Sequence, residues 1–500
     1  MKKIFPQTFY NPLSLVGAIV VVFNIGLMLF LTLVDILSKH PSAYAGIIIF
    51  LVLPVFILIG VVFIITGIVR ERRQAAGLPA ERRLLVLDFN DQRQRKIVTL
   101  VGCGFVFLCL LYAFASYKAY EYVESDTFCG AVCHTVMGPE RKSHMISPHA
   151  EVGCVECHVG SGARYFVESK AAGTRQLVAL VLNKYRRPIP VPIKDLRPAQ
   201  DICETCHGPK TDFRERLVMR KHFLSDEKNT PWAINLLLKM GVTDIESGNP
   251  LKIHWHSTVA REIRYIATDP KRMVIPWIQA TGFDGKVRTY RSTESKSTDT
   301  ELSKHEKRVM DCVDCHNRAG HPYQHPVLPL DALLSLGVID SSLPEIKSTA
   351  VKALEAEYAS EEKALSGIKT AITELYQNKY PAVAAQKRPA IEKAIAEIQK
   401  IYTQNYNPAM KVSWRAFPDN SGHLYSLGCF RCHDGKHQSD DGKVLSKDCS
   451  LCHTLIKHSL DKDKKQALLT VDPYPHPSDI GDSYKEMNCS DCHGSGSSGG

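Results

Sequence analysis

Hydrophobic residues are unevenly placed along this chain. Three uncharged apolar runs, 13–34, 44–69 and 97–117, all lie before residue 118. Each is long enough to cross a bilayer as a helix, which takes about 20 residues. The first run also invites a secretory-signal reading, since Lys2 and Lys3 precede it and Ala43-Tyr44-Ala45 resembles a cleavage site. It is longer than an ordinary signal core, however, and a cut there would abut the second run. Arginines set the sidedness. Arg70, Arg72, Arg73, Arg82, Arg83, Arg93 and Arg95, with Lys96, crowd the loop between the second and third runs, whereas the loop between the first and second carries only Lys39. Positive loops stay cytoplasmic, so the third span would deliver residues 118–500 to the far side. Cys103 and Cys109 fall inside that span and read as small packing residues.

Beyond residue 118 the text turns polar. Residues 208–304 contain strand-like, aromatic-bearing stretches such as Ile253-His254-Trp255-His256 and Glu262-Ile263-Arg264-Tyr265-Ile266. Residues 344–405 return to helical periodicity. Leu354, Tyr358, Leu365, Ile368, Ile372 and Leu375 recur at spacings of three, four and seven, and Ile391, Ile395, Ile398 and Tyr402 do so after a break at Pro381 and Pro389. This predicts an amphipathic hairpin that opens near Pro344. The terminal GSGSSGG reads as a flexible tail.

Cysteine spacing changes the picture most. Six C-x-x-C-H signatures occur: Cys154/Cys157/His158, Cys203/Cys206/His207, Cys312/Cys315/His316, Cys429/Cys432/His433, Cys449/Cys452/His453 and Cys489/Cys492/His493. A seventh, first in order, is stretched by one residue: Cys129-Gly-Ala-Val-Cys133-His134. Together they use 14 of the 16 cysteines. Two thiols add to the two vinyl groups of one porphyrin, and the next residue supplies an imidazole to its iron. Zinc half-sites or redox CxxC pairs would not need a histidine after every pair. The pattern therefore predicts a multihaem c-type cytochrome with seven covalently bound haems.

That expectation bears on core and charge. A polar chain of this length has little side-chain surface with which to build a large core, so the porphyrins are expected to be much of it. The formal charge of +10 invites a nucleic-acid partner. Haem propionates would remove it, adding about −7 when the haems are oxidised and about −14 when reduced, and no nucleic-acid partner is expected. The predicted fold class is a mainly α membrane protein: three transmembrane helices, then an irregular, haem-packed, α-rich cytochrome region. The expected parts are a membrane domain at 1–117, a tetrahaem domain at 118–330 with an insertion at 208–304, a helical spacer at 331–410 and a trihaem module with its tail at 411–500.

Low-spin haem iron takes a sixth ligand, commonly a second His or a Met. His149 and His423 stand out because each precedes a CxxCH motif closely, and His321 follows His316 by five residues. His222, His254, His256, His305, His325, His437, His458 and His476 compete for the remaining irons, and His144 is ambiguous. Met137 follows His134 by three residues. The two are alternative ligands of the first iron, with the opposite face open or weakly held.

At these residues the chain resembles the NapC/NirT family of membrane-anchored quinol dehydrogenases. A span runs into a first motif followed by Met137, Ser147-Pro148-His149 precedes Cys154-Val-Glu-Cys157-His158, and His321 follows Cys312-Val-Asp-Cys315-His316. The likeness covers roughly 98–325 without the insertion. The wider pattern, three spans and seven haems, resembles the ImcH-type inner-membrane cytochromes of metal-reducing bacteria. The resemblance implies a quinol site beside the first haem. A family lysine after the second motif matches Lys170. The acidic residue expected seven positions further on is replaced by Leu177, which leaves Glu140 and Glu168 as stand-ins for the proton acceptor.

The implied function is a multi-pass protein of the bacterial inner membrane with periplasmic haem domains. It would pass electrons from menaquinol, drawn from the menaquinone pool, through seven haems to a soluble periplasmic multihaem cytochrome c, in anaerobic or extracellular respiration. The rival is a terminal reductase of a small oxyanion such as nitrite, which needs an open iron face and a substrate pocket. A haem-based sensor would need a signalling module, and none is visible.

Overall fold

The computed structural model describes residues 10–37, 52–75, 125–132, 135–160, 163–192, 198–207, 215–241, 252–257, 262–282, 284–459 and 478–494, with scattered positions between 90 and 122, the strand at 466–467 and His476. The third apolar run lies outside the described residues apart from scattered positions, as do Cys109, Cys133 and His134. Contacts divide the chain into two units, 1–134 with 153–182, and 135–152 with 183–500.

The first unit is built on two apolar helices, α1 (Pro12–Leu37) and α2 (Leu53–Ala75), each long and apolar enough to cross a membrane. They cross antiparallel at small residues. A Cβ placed on Gly17 would meet the Gly60 carbonyl oxygen at 2.5 Å, so only glycine allows this approach. Ser14 Oγ donates to the Ile64 carbonyl across the crossing at 3.1 Å. Close approach of small residues is how helices associate in lipid, where apolar burial offers no net drive. The outer faces carry exposed apolar residues, among them Val22, Leu29 and Leu58. A further helix, α3 (Ala163–Val181), follows the second cysteine motif.

The second unit holds two antiparallel sheets that a mainly helical expectation did not include. The strands are β1 (Arg216–Phe223), β2 (Pro231–Leu238), β3 (Arg264–Ile266), β4 (Trp277–Thr281), β5 (Val287–Ser292), β6 (Lys307–Val309), β7 (His437–Ser439), β8 (His453–Ser459) and β9 (Gln466–Ala467). One sheet has the order β1-β2-β8-β9, the other β6-β3-β4-β5-β7. The strand-like 262–266 stretch is β3 in its last three residues, but 253–256 coils into a 3-10 turn, Lys252–Ser257. Each sheet is anchored on cysteine motifs. β6 ends just before Cys312, β7 begins just after His433, and β8 begins at His453 itself.

Helices α4 (Val327–Ser335), α5 (Ile346–Glu355), α6 (Glu361–Glu374) and α7 (Arg388–Asn405) pack on one another. The periodic residues meet inside. Leu330, Leu343, Ile346, Leu354, Ile368, Ile372, Tyr376 and Ile398 are wholly buried. The two prolines that break the pattern start helices, Pro381 opening a short one and Pro389 lying in the first turn of α7. This bundle corrects one expectation: a sizeable side-chain core exists here without any porphyrin. Helix α4 joins it to β1 through charge. Asp331, buried on α4, holds Lys347 Nζ at 2.9 Å and His222 Nδ1 at 3.0 Å, and Lys347 also donates to the Phe223 carbonyl.

Removing one partner of a buried ion pair leaves the other charge uncompensated, at a cost of about 3–5 kcal/mol. Asp331→Ala is expected to destabilise the helical bundle by that order, read as an earlier urea transition in far-UV circular dichroism. An unchanged transition would mean that the pair contributes nothing to stability.

Candidate haem-binding sites

Each described motif forms a helical turn, which sets its two thiols and its histidine on neighbouring positions. The turns Cys312–Cys315 and Cys489–His493 begin with capping boxes, from Asp311 with Asp314 and from Asn488 with Asp491. Such reciprocal caps satisfy the free backbone donors of a helix start. Asp314 is more than a cap. Its buried carboxylate accepts from Tyr265 Oη at 2.6 Å, Arg272 Nη1 at 3.1 Å and Arg308 Nε at 3.1 Å. One motif is thereby bolted to the β3–β4 sheet.

The motif histidines of the second unit each face a second imidazole. His207 lies against His149 with ring centroids 5.9 Å apart, His316 against His254 at 6.5 Å, and His433 against His256 at 5.8 Å. His453 lies against His423 at 6.2 Å and His493 against His476 at 6.0 Å. A metal–nitrogen bond of about 2 Å on each side, plus the half-width of each ring, sets two trans axial imidazoles about 6 Å apart, centre to centre. The five pairs fit an iron between them.

Hydrogen bonding supports the same use. Nδ1 of His149 lies 3.1 Å from the Ala319 carbonyl oxygen, that of His254 2.9 Å from Met240, that of His256 2.7 Å from Ile253, and that of His433 3.1 Å from Ser446. His476 Nδ1 makes the same contact to Ser478 at 2.9 Å. A carbonyl on Nδ1 fixes the tautomer with the proton there and leaves Nε2 for a metal. The buried Nδ1 atoms of His423 and His453 have no hydrogen-bond partner among the described residues. Burial pushes the pKa of His423 and of His433 down to about 4, and lowers those of His254, His256, His453 and His493. Neutral imidazole is the form that binds metal.

The thiols follow chain order. The Cys203 and Cys312 thiols are hydrogen-bonded, Cys315 and Cys429 interact electrostatically, as do Cys429 with Cys452 and Cys489 with Cys449. In the first unit, Cys154 neighbours Cys129, and its backbone N–H donates to Asp126 Oδ1 at 2.9 Å.

Two of the predicted haem-attaching thiols differ from the rest. Cys206 and Cys492 are exposed, whereas the other described motif cysteines are part-buried. Each of the two is the second thiol of its motif and lies in the last two residues of a short helix, Ala199–His207 for Cys206 and Cys489–His493 for Cys492. The residues beside them, Thr205 and Asp491, are exposed as well. The Thr205 hydroxyl lies 4.0 Å from Cys206 Sγ. Cys203 and Cys489, the first thiols of the same motifs, are the ones the protein shields.

Other predicted residues are placed as follows. His437 uses both nitrogens, Nδ1 on Asp434 at 2.9 Å and Nε2 on the Ile275 carbonyl at 2.7 Å. His222 is bonded to Asp331 and stacked on Trp232, and His305 is exposed. His321 lies against His144, with ring centroids 5.7 Å apart. His325 is packed between Tyr425 and Trp414. His458 lies on β8 and Lys170 on α3, with side chains outside the described residues, and His158 closes the turn Cys154–His158. Met137 ends a 3-10 turn, Thr135–Met137. Glu168 is exposed on α3. Glu140 is largely buried beside Arg318, Tyr323 and His321, and burial raises its pKa above the usual carboxylate value.

Paired thiols followed by a histidine, and a second imidazole at axial distance, define a c-type cytochrome with covalently held haem. Residues 423–498 match the cytochrome c3 family. The chain is 40% identical over 489 residues to cytochrome c-type protein ImcH of Geobacter sulfurreducens, spanning 97% of this chain and 95% of that protein. It belongs to the ImcH family of c-type cytochromes. No solved structure matches it.

The ring planes carry a spectroscopic consequence. Parallel axial imidazoles split the iron dπ orbitals, and perpendicular ones leave them nearly degenerate. His254/His316 and His423/His453 meet at 13° and 19°, whereas His149/His207 and His256/His433 meet at 68° and 79°. The oxidised protein is expected to give rhombic low-spin EPR signals together with large-gmax signals. A spectrum without any large-gmax species would contradict the two crossed pairs.

Proposed function

We propose that this chain is an inner-membrane quinol dehydrogenase carrying seven haems. In this reading a tetrahaem region over 118–330 and a trihaem region over 411–500 face the periplasm, with the helices of 331–410 between them. The supporting observation is that two apolar helices precede the cysteine motifs, in a family of c-type cytochromes. When bound, the haems supply one-electron chemistry that takes electrons from menaquinol toward a soluble periplasmic multihaem cytochrome.

The chain's own residues supply the rest. Lys170, just past the second motif, is proposed to orient a quinol hydroxyl. Glu140 and Glu168 are the carboxylates proposed for proton uptake. A catalytic base works best when its pKa approaches ambient pH, and burial moves Glu140 in that direction while Arg318 opposes it. Glu168, exposed on α3, lacks that tuning. His134 or Met137 is proposed as the ligand at the first haem. The oxyanion-reductase alternative needs an open iron face, and the second imidazole beside each of five motif histidines works against it.

Two measurements test the proposal. Pyridine haemochrome analysis per chain is expected to give seven haems; six or fewer would remove the stretched first motif or another from the count. In proteoliposomes, a menaquinol analogue is expected to reduce the haems, and Glu140→Gln to slow that reduction by about 10²-fold or more. Dithionite reduction and the visible spectrum should stay unchanged. Equal quinol rates in variant and parent would exclude Glu140 as the proton acceptor, and no reduction by any quinol would overturn the function.

A further inference from the structure

Histidines 254 and 256 sit two residues apart in one 3-10 turn, yet they face different motifs. His254 pairs with His316 and His256 with His433. With about three residues per turn, positions i and i+2 of such a helix point about 120° apart. The two rings therefore cannot serve one iron. The turn hangs from the end of β2, where Ile253 and His254 donate their backbone N–H groups to the Lys239 and Met240 carbonyls at 3.2 and 3.1 Å.

The opposite sides of the same two motifs are stitched together as well. Arg431, inside the Cys429–His433 motif and 8% exposed, donates from Nη2 to the carbonyl of Asp314, inside the Cys312–His316 motif, at 2.7 Å. It also donates from Nη1 to the Arg272 carbonyl at 2.9 Å and from Nε to the Gly428 carbonyl at 2.8 Å. Arg272 in turn grips the Asp314 carboxylate. Strand β5 pairs with β7, just after His433.

We propose that the turn Lys252–Ser257 is the shared distal wall of two adjacent haem pockets, His254 completing the iron of the Cys312–His316 motif and His256 that of the Cys429–His433 motif. The last haem of the first motif group and the first haem of the second group are thus neighbours across one fixed junction. This rests on the haem reading of the motifs and goes beyond it by assigning both ligands and the contact between the groups.

The test uses the full-length holoprotein and the variants His254→Met, His256→Met and the double variant. Methionine keeps a ligand but gives a thioether-to-iron charge-transfer band in the near infrared. Each single variant is expected to show one haem's worth of that band above the parent, and the double variant twice as much. His256→Met should also remove one large-gmax EPR component, while His254→Met leaves those components in place. A double variant no stronger than a single one, or singles that perturb the same EPR component, would overturn the proposal. If the variants do not accumulate, a density map of the unmodified holoprotein decides the point: an iron bonded to each histidine upholds it, and either histidine off iron overturns it. Low haem content in the parent would count against the cofactor reading. Full content with unshifted spectra would count against the junction alone.

Discussion

An iron held between two imidazoles needs its second ring from somewhere else in the chain. On the proposed haem reading, this requirement would organise the second unit. Every CxxCH motif there brings its own first ring, but His149, His254, His256, His423 and His476 come from other segments. Chain must be folded around each pair to hold two rings at axial distance, and the sheets do this. Strand β2 presents the 252–257 turn and pairs with β8, which starts at His453. Strand β5 reaches β7, just beyond His433. The segment that interrupts the first motif group is therefore the scaffold on which the later motifs are mounted.

Stability and haem geometry come from different parts of the molecule. The α4–α7 bundle has an ordinary apolar core and a buried Asp331–Lys347 pair. The described motif regions have smaller apolar clusters, around Tyr265 and Ile278, around Trp277, and around Tyr323, Trp414 and Phe417. There, arginine–carboxylate contacts such as those at Asp314 do the positioning. Buried charged hydrogen bonds are costly to misplace, so they fix geometry more sharply than apolar contacts do.

Much of this was legible in the sequence, and the gaps have physical causes. The motifs announce themselves because thioether chemistry demands a fixed local spacing. That spacing says nothing of cover, which is why the exposure of Cys206 and Cys492 could not be read from it. The helices at 346–405 follow from periodicity, although the hairpin expected there is a larger bundle. The second apolar helix extends to Ala75, past the uncharged run, because long arginines tolerate a helix end. Ligand pairing was not legible. His149 lies near Cys154 in sequence but faces His207, and His423 lies near Cys429 but faces His453. Proximity along the chain does not report which iron a ring will reach, since the axial direction points away from the local turn. The 253–256 stretch looked like a strand because Ile and Trp favour one. Tethering to the Lys239 and Met240 carbonyls coils it instead.

The position of the 252–257 turn has a consequence for how the protein is built. His254 and His256 are synthesised before either of the motifs they face, and His433 is the later of the two. Haem can be attached to Cys312 and Cys315 as soon as they emerge, but the neighbouring pocket closes only when the chain has been made beyond residue 433. On the proposed junction, the first pocket can be completed before the second, whose completion waits on the C-terminal third, and a chain truncated before Cys429 would lack the motif that faces His256.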